Sequence, residues 1–144
     1  MAFINQLMHA LVTQPIHPLF VHFPIALSGA ALFFLLLALW KKNEILEVIA
    51  FADISLAAVS TIVTAIAGIR DNFVYYHGGA ANHVAKYILA TLLFLVTSAT
   101  AILRWRNPKI FQSHGKAIYI TGYFVSFALA AVLGFLGAVI VYGF

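Results

Sequence analysis

Four stretches of about twenty or more mostly apolar residues constrain this chain more than anything else in it. They run near 19–40, 48–69, 80–103 and 117–142, and all the charged residues except Asp53 and Lys86 lie in the breaks between them, with Lys41, Lys42, Glu44 and Glu47 in the loop after the first. About twenty such residues cross a bilayer's hydrocarbon core as a helix. In lipid the backbone must satisfy its own polar groups, so a spanning segment is helical or part of a closed barrel. Runs of this length read as helices. Only 8% of the residues are charged and 64% are hydrophobic, against about 25% charged in a soluble domain. The expected fold is all-α: an integral membrane four-helix up-down bundle, one domain over residues 1–144. A short interfacial helix is expected over 3–14, where Phe3, Ile4, Leu7, Met8 and Leu11 share a side and Pro15 follows. That segment is too short to span. It has no basic start and no small-residue cleavage site, so no cleavable signal peptide is expected.

Charge sets the orientation. Four spans leave both termini on one side. The two loops on the other side hold Lys41, Lys42, Arg104, Arg106, Lys109 and Lys116, six of the eight basic residues. The positive-inside rule makes that side cytoplasmic. The N and C termini and the 70–82 loop are then expected in the periplasm outside an inner membrane, or at the cell exterior where there is only one membrane. The net charge of +4 therefore lies at a membrane surface and does not point to nucleic acid. With no cysteine, disulfides, thiolate zinc sites, iron–sulfur clusters and thioether-bound haem are excluded.

Small residues recur every four positions on the last span, at Gly122, Ser126, Ala130, Gly134 and Ala138, and similarly at Ala57, Thr61, Ala65 and Gly68 on the second. Such rows let helix backbones approach closely.

The chemistry concentrates at the periplasmic end. His17, His22, Arg70, Asp71, His77, His83 and Lys86 gather there. Histidine at the edge of the hydrocarbon marks a ligand, a proton path or a pore. His17 and His22 are five residues apart, about 140° around a helix, so they cannot both face one interior point. Pro18 disfavours helix at His17, whereas His22 and His83 each sit about one turn inside parallel spans. Two imidazoles at matched depth are what a bis-histidine haem b needs. The expectation is that His22 and His83 are the axial ligands. His17, Arg70 and Lys86 are expected beside the propionates, small residues such as Ala26, Gly29, Gly79, Ala80 and Ala90 next to the ligands, and Phe33, Tyr87 and Phe94 as walls. Pro24 is expected to free a carbonyl and bend the first span.

Other readings stay open. A buried histidine is often only hydrogen-bonded structure. His77 reads as an exposed turn residue, and His9 is given no role. Arg70-Asp71 reads as a helix end, and Asp53 as a structural acid or a partner of Arg104. His17, His22, Asp71, His77 and His83 together offer a zinc or copper donor set, although their spacing matches no compact metal motif. No hydrolase or phosphate-loop motif is present.

The segment His17-Pro18-Leu19-Phe20-Val21-His22-Phe23-Pro24 resembles the opening of a bacterial family of four-span membrane domains of unknown function. The likeness extends over nearly the whole chain, through Gly68 and Asp71, through His83, and through Gly134, Gly137 and Tyr142. Ala138 stands where that family often has a second glycine, and the family's basic, His-containing tail is missing. The resemblance implies fusion to, or proximity to, c-type cytochrome modules, and hence respiratory electron transfer. Together these readings favour an electron-transfer subunit over a free-standing enzyme. It would exchange electrons between a periplasmic partner, such as a c-type cytochrome, and the quinone pool or a larger membrane complex. The alternatives are a cofactor-free structural subunit, docked through the small-residue faces, and the zinc or copper site.

Overall fold

The computed structural model describes residues 4–5 and 14–142. They form four long helices, α1 (His17–Lys41), α2 (Glu44–Tyr76), α3 (His83–Arg106) and α4 (Lys116–Tyr142), with a 3-10 turn at Ile110–Gln112 before α4. All four are long and apolar enough to cross a membrane. The interfacial helix expected over 3–14 lies, with His9, almost wholly outside the described residues.

Each helix packs on the next in sequence and α4 closes the ring against α1, while the diagonal pairs touch little. This is an up-down bundle, and α1 and α2 have the most extensive contact. Leu35 and Ala31 of α1, Ala50 and Ile54 of α2, and Tyr119 and Tyr123 of α4 are fully buried. Outward positions carry large apolar groups such as Phe33, Leu56, Val59 and Phe135, as expected of helices bathed in lipid.

The small-residue rows are interior packing faces. A Cβ on Gly122 would lie 2.2 Å from Thr100 Oγ1 of α3, and one on Gly134 would lie 3.0 Å from Ile25 Cδ1 of α1. Ser126 and Ala130 are fully buried. On α2, Ala57 and Thr61 are buried, and Gly68 lies against the His17 ring. These faces are used inside the bundle, which corrects the expectation that they dock a partner.

Three helix ends differ from the sequence reading, two of them on α2 and one on α3. α2 does not stop at Arg70-Asp71-Asn72 but runs to Tyr76, because Asp71 and Asn72 are buried and paired. α3 begins at His83, so this histidine heads the helix instead of lying a turn inside it. Glu44 and Glu47 likewise belong to the first turn of α2 and not to a loop. The Asn43 side chain caps that turn, accepting from Ile45 N at 2.8 Å. An oxygen cap with acids following it suits the positive end of a helix.

The basic end is closed by a buried polar network. Arg104 of α3 grips Glu47 of α2 with both ends of its fork, Nε to Oε1 at 2.7 Å and Nη2 to Oε2 at 2.9 Å. Tyr119 of α4 donates to Glu47 Oε1 at 2.7 Å. Its proton thus used, the Tyr119 oxygen accepts from Tyr123, 2.7 Å away. Arg104 pairs with Glu47 and not with Asp53, correcting that expectation. Asp53 is set apart by its place a turn and a half deeper in α2.

Candidate histidine platform

The opposite end is organised by two adjacent residues of α2. Asp71, buried, accepts the backbone N–H of His17 through Oδ2 at 2.7 Å and holds Arg70 Nη1 at 2.7 Å through Oδ1. Ile16, the N-cap of α1, makes no side-chain cap bond. A carboxylate from the neighbouring helix takes that role, where the helix dipole favours negative charge. This contact holds His17 as the first residue of α1 despite Pro18, against the expectation that proline pushes it off the helix.

The His17 ring lies across Gly68, where a Cβ would come within 2.9 Å of Nδ1. Nδ1 is 3.1 Å from the carbonyl oxygen of Thr64. A carbonyl only accepts, so Nδ1 carries a proton, and in the neutral ring Nε2 is then the nitrogen with the lone pair. Thr64 also serves Pro24. Proline has no N–H to give the carbonyl four residues back, that of Phe20. The single proton of the Thr64 hydroxyl is shared between that oxygen, at 3.0 Å, and its own helix's Ser60 oxygen, at 2.8 Å. The freed carbonyl expected from the sequence is thus satisfied from α2, as a membrane interior requires.

Asn72, the other half of the pair, faces α3. Its Oδ1 accepts from Ala80 N at 3.0 Å, and its Nδ2 donates to Tyr87 Oη at 2.8 Å. The carbonyl of Ala80 in turn lies 2.8 Å from His83 Nδ1. By the same reasoning His83 is protonated at Nδ1 and presents Nε2. Tyr87 meets its ring edge-on at a centroid distance of 6.0 Å. Asp71 therefore sets His17, and Asn72 sets His83 through Ala80. Both histidines are the first residues of helices that enter from the same end, both are part-buried, and neither Nε2 has a partner among the described residues.

His22 is not part of this platform. It is exposed. Two residues before buried Pro24, it is turned about 200° from the stripe of Pro24, Ser28, Ala31 and Leu35 that faces the bundle. The matched pair of His22 and His83 is therefore corrected: their rings do not share the interior. The supporting residues named with His22 disperse too. Ala26 and Phe33 are exposed, and Gly29 lies against Phe127 of α4. Arg70 and Lys86 are engaged with the chain itself. Arg70 holds Asp71 and the Gln14 carbonyl and lies over the Tyr75 ring, and Lys86 donates to the Ala81 carbonyl at 3.0 Å. His77 is exposed, in the left-handed C-cap of α2.

Asn72 and Thr64 were not singled out by the sequence as site residues. The available signal was Asn72 beside Asp71 within a span, since a buried amide in lipid needs partners.

Among the described residues no three His, Cys, Asp or Glu side chains come together as a metal site. Both Asp71 oxygens are taken, so that carboxylate is not free to complete one. What the platform offers is two imidazoles, each anchored through Nδ1 to a backbone carbonyl. A second-shell hydrogen bond of this kind orients histidine ligands.

Comparison with known proteins returns one finding. No curated protein and no solved structure matches the chain. A family model does, over residues 13–144, and the chain belongs to that family, described as predicted membrane protein (DUF2231).

Proposed function

We propose that the chain is a small b-type cytochrome or haem-binding subunit of a bacterial inner membrane, in which His17 and His83 would hold the haem in place of the pair expected from the sequence. The observation that carries the reading is the matched second shell. Each Nδ1–H is donated to a backbone carbonyl, of Thr64 or Ala80, and each Nε2 is left available. The donor set suits haem better than a bare ion. Zinc asks the protein for three or four ligands, whereas haem brings its own equatorial nitrogens and needs only axial ones. Bound haem would supply one-electron chemistry. The chain's own residues would orient each imidazole, with Asp71 fixing His17 through its backbone N–H and Asn72 fixing His83 through Ala80. Charge supports the rest. The six basic residues at the other end would face the cytoplasm, and the histidine platform and both termini would then lie on the periplasmic side. There a c-type cytochrome or a larger complex could exchange electrons, with the quinone pool as the membrane partner.

The test is an optical spectrum of protein purified from haem-replete cells. The expected result is a Soret band that sharpens and shifts on dithionite reduction. His17→Ala and His83→Ala should each abolish the low-spin signal, and His22→Ala should retain it. Folded, haem-free protein would remove the reading.

A second reading, a cofactor-free structural subunit, is favoured by one observation. His17 and the carbonyl freed by Pro24 both converge on Thr64, so the opening motif also serves to dock α1 on α2. Under that reading the protein copurifies with large partners, and it stays colourless.

A further inference from the structure

At the basic end the α1–α2 corner and the 3-10 turn before α4 leave an open cavity of about 290 Å³, lined by Ala38, Leu39, Lys42, Glu44, Phe111, Gln112 and Lys116. Its origin is local. Lys42 caps α1 in the left-handed conformation (φ 49°), turning the chain away from the helix axis. Across the gap, Gln112 of the 3-10 turn reaches Glu44 at the start of α2. Lys42 at the end of α1 and Lys116 at the start of α4 thus line one cavity, and the Lys116 ammonium lies 4.9 Å from the centre of the Phe111 ring. Ala38, Leu39 and Phe111 make the rest of the wall apolar.

The level of the cavity in the membrane is marked by tryptophan. Trp40 and Trp105, at the same end, are 77% and 76% exposed, as interfacial aromatic anchors are. A site at this depth meets phosphate groups above and acyl chains below. Two ammonium groups against the Glu44 carboxylate leave one net positive charge, which matches a phosphodiester carrying a single negative charge. The volume is at the lower edge of ligand pockets, enough for a headgroup and not for a whole lipid. Basic pockets between membrane helices take anionic headgroups by this chemistry.

We infer that this cavity binds the headgroup of a singly anionic phospholipid, of the phosphatidylglycerol type, with Lys42 and Lys116 on the phosphate and the acyl chains leaving past Leu39. The site is at the opposite end of the bundle from the histidine platform and does not depend on the haem proposal.

The experiment is native mass spectrometry of the full chain in detergent, titrated with phosphatidylglycerol or with phosphatidylcholine of the same acyl chains. One phosphatidylglycerol should be retained per chain, in preference to phosphatidylcholine. Near a membrane surface each lysine contributes about a fivefold factor to such binding. Lys42→Gln and Lys116→Gln should therefore each weaken retention by about that much. Arg106→Gln and Lys109→Gln remove charge at the same end but outside the cavity, and should leave retention unchanged. Thermal melts of the four variants separate lost binding from lost folding. Equal retention of the two lipids would overturn the assignment. So would equal losses in all four variants, which would mean diffuse surface charge, and so would displacement by millimolar inorganic phosphate, which would mean a free-anion site.

Discussion

Thr64 shows how far one residue can be read without its neighbours. The sequence shows that Pro24 frees the Phe20 carbonyl, since that follows from proline's missing N–H alone. It does not show that Thr64 takes up that carbonyl, or that the Thr64 carbonyl orients His17, because both depend on how α1 docks on α2. The choice between His17 and His22 fails for a related reason. A local rule about residues before proline pointed away from His17, and a buried carboxylate fifty-four positions along the chain outweighs it. Glycine gives a direct test at this scale. A methyl group on Gly122 would fall 2.2 Å from Thr100 Oγ1, whereas one on Gly137 meets nothing within 4 Å. Overpacking a tight core costs about 1–3 kcal/mol. Gly122→Ala should therefore lower the thermal unfolding midpoint in detergent clearly, and Gly137→Ala should leave it near the parent value. Equal midpoints would mean that α3 and α4 can separate without cost.

At the level of helices, the number, type and approximate centres of the spans are legible, because apolar run length is a direct consequence of bilayer thickness. The ends are less so. Arg70, Asp71 and Asn72 look like a terminus when charge is taken to mean water. In the bundle Asp71 and Asn72 are buried, and the helix passes through them. Glu47 is misread in the same way: a loop acid by sequence, it is 2% exposed and carries the contact between α2, α3 and α4. Removing one member of a buried pair leaves an uncompensated charge and costs about 3–5 kcal/mol, while replacing both with apolar groups is often nearly neutral. Arg104→Met alone should be strongly destabilising. Adding Glu47→Leu should restore much of the loss, and a double-mutant cycle from thermal melts measures the coupling. Additive losses in the double variant would show that the pair does not couple these helices.

Across the whole molecule, the two ends carry the polar specificity and the middle is packed with small and apolar residues. The histidine platform ties α1 and α3 to α2, and the Glu47 network ties α3 and α4 to α2. α2 and α3 take part in both, and α2 is the helix to which each network ties the others. The buried share of the spanning windows follows suit, 33% in α1 and α2 against 17% in α3 and α4. Hydrogen exchange reads this order, since local opening follows contact density and exposure. In detergent, central amides of α1 and α2 should exchange most slowly, and those of α3 and α4 should open earlier. Slowest exchange in α3 would contradict a bundle organised around α2.

The length of α2 has a consequence of its own. Its 33 residues extend about 50 Å at the α-helical rise, against a hydrocarbon slab of about 30 Å. Tilting absorbs only part of that excess. An excess shared between the two ends would lift the segment from Asp71 to Tyr76 to the level of the lipid phosphates, and His17 and His83 with it. Under the proposed electron-transfer reading, a water-borne partner gliding along the surface would then come within touching range of these two rings without entering oil, as a boat reaches a mooring post that stands clear of the tide.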